Sequence, residues 1–240
     1  MNPRIIGWLS LSILAFFALW LFVGLVIFNN PDAREGPPET VAQLVEDRTA
    51  QEGQGAAIFV VNMIFSLLIT AIFVALYHYF RSEAPVAALL GLVCLPVFLA
   101  LTNLFTGLQV TLVPLLNRLY ELPEYREAVT LLLRPFLPGG HAAQLTNLWA
   151  LPFILLGIPT VLFGVMMLRR GVLLKIAGAL LILNGVGYLS ALINLIGDSA
   201  VVRALGGIGG FAFLAALLLL AIAFLRRRGT ERLAAAPASA

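Results

Sequence analysis

The stretch Gly157–Gly185, GIPTVLFGVMMLRRGVLLKIAGALLILNG, decides the fold. Gly157, Gly164, Gly171, Gly178 and Gly185 recur every seven residues across the basic pair Arg169 and Arg170. Seven residues are nearly two helical turns, with a drift of only about 20°. Gly157 and Gly164 therefore share one face of a helix before the arginines, and Gly178 and Gly185 share one face of a helix after them. Gly171, next to the basic pair, is expected at the turn, where a glycine can take the left-handed conformation that ends a helix. In an antiparallel hairpin, residues equidistant from the turn lie at the same depth. Gly164 then stands level with Gly178, and Gly157 with Gly185. Lipid supplies little hydrophobic drive between helices, so small residues that admit close backbone approach become the adhesive. The five glycines are expected to form a helix-packing seam.

That reading requires a lipid surround, and composition supplies it. The chain of 240 residues is 61% hydrophobic and 11% charged, with a mean hydropathy of +1.00. Soluble domains carry roughly 25% charged residues. A membrane crossing takes about 20 mostly apolar residues, and six stretches qualify: 5–28, 56–80, 84–109, 145–168, 171–196 and 206–225. The first follows Arg4 as a signal peptide would. Its length of 24 residues and the lack of a small-residue cleavage site identify it as a retained anchor. The expected architecture is an all-α, polytopic six-helix bundle. Residues 1–228 form a single membrane domain and 229–240 a disordered tail. A GxxxG at Gly206 and Gly210 marks a weaker packing face on the sixth span.

Charge sets the orientation. The N-terminus, the turns after spans two and four, and the tail together hold nine basic and two acidic residues, against six basic and ten acidic on the other side. Lysine and arginine near span ends favour the cytoplasm. Both termini are expected there, in a bacterial inner membrane.

Two outer loops, of 27 and 35 residues, are long enough to contain structure. In the first, PPETVAQLVEDR reads as a short helix, with Thr40 and Gln43 at capping-box spacing and Val41, Leu44, Val45 and Arg48 on one face. In the second, Tyr125, Ala128, Val129, Leu132 and Leu133 form a stripe ended by Pro135 and Pro138. Such helices lie in the interface plane, as a lid over the bundle or as a gate or partner surface.

No chemistry announces itself. The spans carry no ionisable residue near the midplane, where one would mark function. The motifs GxSxG, HExxH, CxxC and GxxxxGK[ST] are absent. Cys94 is single, which excludes an internal disulfide. His78 and His141 fall on opposite sides of a core about 30 Å thick and share no metal. Asn62, Ser66 and Thr70, with Asn103, Thr106, Asn147, Asn184, Tyr188 and Asn194, are the candidate polar residues of the spans. Pro96 and Pro159 remove backbone donors and free the carbonyls of Leu92 and Leu155. Asn184 is expected to donate to the Leu155 carbonyl. Asn103, Asn184 and Tyr188 read either as interhelical glue or as the lining of a small polar pocket.

The run from Gly157 to Leu189, with its glycine-spaced helix, basic turn and GALLILNGVGYL (Gly178–Leu189, including Gly185, Gly187 and Tyr188), resembles a bacterial family. This is the six-helix inner-membrane domain-of-unknown-function family numbered forty-three eighty-six. The likeness extends to PDAREGPPET and ALYHYFR. Members often carry a histidine where this chain has Pro159 and a proline where it has Leu174, so any role of that histidine is absent here. The resemblance implies a topology without an activity. Together these features favour a multi-pass, non-enzymatic accessory or assembly subunit without cofactor or metal. Its partners would be the lipid bilayer and another membrane protein or a second copy, and not nucleic acid. The alternative is a small permease for a neutral or apolar solute.

Overall fold

Backbone groups in lipid must be satisfied within the chain, which leaves helices as the solution for segments this apolar. The computed structural model describes residues 2–26, 38–50, 52–137, 151–194 and 200–226, and no strand occurs among them. The helices are α1 (Arg4–Val26), α2 (Val41–Ala50), α3 (Glu52–Phe80), α4 (Pro85–Glu121), α5 (Pro123–Leu133), α6 (Leu151–Met167), α7 (Val172–Asn194) and α8 (Ala200–Arg226), with a 3₁₀ turn at Arg134–Phe136. Five of them, α1, α3, α4, α7 and α8, are long and apolar enough to cross a membrane; α6 is equally apolar but 17 residues long. The first six residues of the expected fourth span, and the expected tail, lie outside the described residues.

The six apolar helices form a closed ring in chain order. α1 packs on α3, α3 on α4, α4 on α6, α6 on α7, α7 on α8, and α8 returns to α1. One end of the ring carries the N-terminus and the α3–α4 and α6–α7 turns. We call it the N-terminal end and the opposite one the cap end. The N-terminal half is filled by large side chains. Ile6, Ile13, Phe73, Leu76, Phe80, Phe163 and Phe224 are each no more than 1% exposed. Their rings touch in series, with Phe73 5.7 Å and Phe80 6.4 Å from Phe163. Arg170 pairs with Glu83 and lies 5.6 Å from the Tyr79 ring, which ties the α6–α7 turn to the α3–α4 turn.

α4 departs from the expected span. It does not stop near Gln109 but continues through Pro114 to Glu121, for 37 residues. At about 1.5 Å per residue this is roughly 55 Å, well beyond a hydrocarbon core of about 30 Å. The reason is a second small core. Val41 and Val45 of α2 and Val129 and Leu133 of α5 are buried with Leu116, Leu119 and Tyr120 of the α4 extension. The two loop helices thus pack on the α4 extension as a cap. α2 starts with the Gln43 N–H donating to Thr40 Oγ1 (3.2 Å) and the Glu39 N–H donating to Gln43 Oε1 (2.8 Å). Of the α5 stripe, only Val129 and Leu133 are buried, while Tyr125, Ala128 and Leu132 are exposed. Burial in the cap lowers the Arg48 pKa from its ordinary value by desolvation.

Candidate functional site

The seam between α6 and α7 is built on backbone. A β-carbon added at Gly164 would lie 2.7 Å from the Gly178 carbonyl oxygen, and one at Gly178 would lie 2.5 Å from that of Gly164. Gly157 and Gly185 face each other in the same way, at 2.9 and 2.8 Å. No real side chain tolerates such distances, so glycine is required at all four positions. Gly171 is different. Its φ lies outside the left-handed range and nothing approaches within 4 Å. Its carbonyl accepts from the Lys175 N–H at 2.9 Å. It is the residue that starts α7, not a left-handed stop for α6 and not part of the contact.

A second seam joins α7 to α8. A β-carbon on Gly187 would lie 2.8 Å from the Leu205 carbonyl oxygen, and Gly187 also faces Gly209. The expected pair Gly206 and Gly210 meets nothing within 4 Å. Gly209, one residue away from Gly210 and therefore about 100° around the helix, is the one that turns toward α7. Elsewhere Gly7 accepts Leu225 of α8, and Gly91 of α4 accepts the Phe163 ring.

Asn184 is fully buried on the α8-facing side of α7, three residues before Gly187. Its Nδ2 donates to the Gly209 carbonyl at 2.9 Å, not to Leu155 across the α6 interface. Because Gly209 has no side chain, the α8 backbone comes within reach of the amide. Tyr188 lies one turn along the same helix, and Asn184 Oδ1 has no partner at hydrogen-bond distance among the described residues. The Thr160 hydroxyl donates to the Leu156 and Gly157 carbonyls, beside the break that Pro159 makes. Asn103 donates to Leu99 of its own helix at 2.8 Å, and α4 packs on α3 and α6. Ser66 and Thr70 likewise donate to carbonyls of α3. Asn184 is therefore the amide that links two spans, while these others serve their own helices.

The cap half of the ring contains a cavity of about 150 Å³ between α1, α3 and α6. Phe16, Phe17 and Trp20 line it from α1, Asn62 and Phe65 from α3, and Phe153 from α6. Phe153 in turn stacks toward Tyr188, 5.6 Å between centroids. An open cleft of about 470 Å³ lies in the cap beside Val45, Glu46, Tyr120 and Glu121. No group of three metal-ligating side chains occurs among the described residues. His78 is exposed at the end of α3, and its ring is edge-on to Tyr77. His141 and Asn147 lie outside the described residues. Cys94 is a free thiol, half-buried on α4.

Local signals pointed to the α6–α7 hairpin because both partners are near in sequence. Gly7, Gly91 and the cavity join elements far apart in the chain, and no spacing rule reaches that far. No family model, curated protein or solved structure matches the chain.

Proposed function

We propose that this multi-pass membrane protein is a non-enzymatic accessory or assembly subunit, with both ends of the chain in the cytoplasm of a bacterium. It works through its surfaces, against another membrane protein or a second copy of itself. The observation that carries this reading is α5. It belongs to the cap rather than to a span, yet Leu131 and Leu132 are 64% and 55% exposed there. Apolar side chains grouped on a surface outside the bilayer core favour a protein or interfacial contact. The bundle supports the same reading from inside. A permease has to open a path, and here the N-terminal half is occupied by buried phenylalanines with no charge among them to couple transport to an ion gradient.

The test is native mass spectrometry of the particle after gentle solubilisation. A stoichiometric complex, hetero- or homomeric, is expected, and the double substitution L131E/L132E should release it. A monomer unaffected by that substitution would overturn the proposal.

A further inference from the structure

The cavity between α1, α3 and α6 combines two features that seldom coexist without an occupant. Its walls are aromatic, with Phe16, Phe17, Trp20, Phe65 and Phe153 around it. Into this wall comes one amide, Asn62. Among the described residues the Asn62 side chain makes no hydrogen bond, unlike Ser66 and Thr70 further along the same helix, whose hydroxyls are satisfied by α3 carbonyls. Asn62 is half-buried, and an amide without a partner in an apolar wall is costly to the extent that it is withdrawn from water. Water is a poor occupant, because a buried water needs two to four polar partners and this wall offers at most the Asn62 amide and the Trp20 indole N–H. A hydrocarbon chain would cover the rings but leave the amide unpaired.

We propose that this cavity is a binding site for a neutral ring compound that carries a carbonyl or hydroxyl group. The ring stacks among the aromatic side chains, and Asn62 hydrogen-bonds the oxygen. Size agrees: a closed cavity of about 150 Å³ holds a benzene-sized ring, and this one is open on one side, which leaves room for ring substituents. The walls contain no charge, which disfavours ionic ligands. Asn62 offers both a donor and an acceptor, so quinone-like and phenol-like rings are both accommodated. The ring can be a free aromatic solute or the head of a prenylated lipid. This site stands apart from the cap surface and does not depend on the accessory role.

The test uses the full chain in detergent with W8F and W149F, which leaves Trp20, in the cavity wall, as the only tryptophan. Duroquinone, an unreactive ring with two carbonyls, should quench Trp20 fluorescence saturably. Durene, the same ring without oxygen, serves as competitor, and its affinity should be at least tenfold weaker than that of duroquinone. N62L should weaken duroquinone binding about tenfold and leave durene unchanged, and N62F, which fills the cavity, should abolish both. If N62L fails to fold, the duroquinone–durene difference in the parent chain still decides. Equal affinity of the two rings, or no saturable quenching, overturns the proposal. Mass spectrometry of the organic extract separates the two sources. A prenylated ring in the extract supports the lipid, and an extract free of one, with duroquinone still bound, supports a free solute.

Discussion

The two arcs of the ring are held together by opposite means. From α6 through α7 to α8 the helices meet glycine to backbone, with Gly164 against Gly178, Gly157 against Gly185 and Gly187 against Gly209. From α1 to α3 they meet through phenylalanine and tryptophan, and at the cap half they leave a cavity. The difference is one of tolerance. Where carbonyls face the space a β-carbon would take, nothing can yield except the helix axis itself. Where ring edges face each other, rotamers can adjust and a guest can enter. One arc is a fixed frame, and the other is where this protein can change its contents.

The largest effect should come from breaking the frame. G164L or G178L would push a side chain into a carbonyl at 2.7 or 2.5 Å and should cost about 3 kcal/mol or more by overpacking. A thermal melt in detergent would reveal it as a large fall in midpoint or loss of the folded species. An intact midpoint would mean that α6 and α7 are not in backbone contact. N184L should cost about 1 kcal/mol, the range of interhelical hydrogen bonds in membranes, because it removes the bond to the Gly209 carbonyl. The same melt should show a smaller but clear fall.

Positions outside the glycine contacts should respond differently. R170A breaks the ion pair with Glu83 that joins the two turns. With those side chains 29% and 51% exposed, the expected loss is below about 1 kcal/mol and shrinks in high salt. Adding a methyl group on the cavity wall with V61I should change stability by less than about 0.5 kcal/mol, in contrast to any enlargement of the glycine seam. The smallest effect distinguishes glycines within the same ladder. G171A should be neutral or stabilising by about 0.5 kcal/mol, through a less flexible unfolded chain, because open space surrounds that position. A loss comparable to G164L would place Gly171 in the seam after all.

Much of the frame is legible in the sequence because its geometry is local. Two helices joined by a short turn must run antiparallel, and counting residues from the turn fixes which positions are level. Counting fails where a helix face is chosen by a distant neighbour. The spacing GxxxG selects Gly206 and Gly210, but α7 meets α8 at Gly209. Counting from the turn puts Asn184 level with α6 near Leu155, yet the face it occupies belongs to α8. The α4 extension was also hidden. The apolar run expected to end at Gln109 carries no sign of continuation, and only the packing of α2 and α5 against Leu116, Leu119 and Tyr120 explains why the helix persists. The cavity could not be read at all, since its wall draws on three helices separated by most of the chain.

The meeting of α1 with α8, where Leu225 fills the notch at Gly7, has a consequence for biosynthesis. Helices leave the ribosome in order, so α1 can pack on α3 early but waits for α8 to fill the notch at Gly7. Until then both edges of the unfinished barrel of helices stay open to lipid and to chaperones. A nascent chain arrested before α8 would lack two interfaces at once, the notch at Gly7 and the groove at Gly187. Premature stop codons at the start of α8, before Leu205 and Gly209, should therefore be as damaging as early ones.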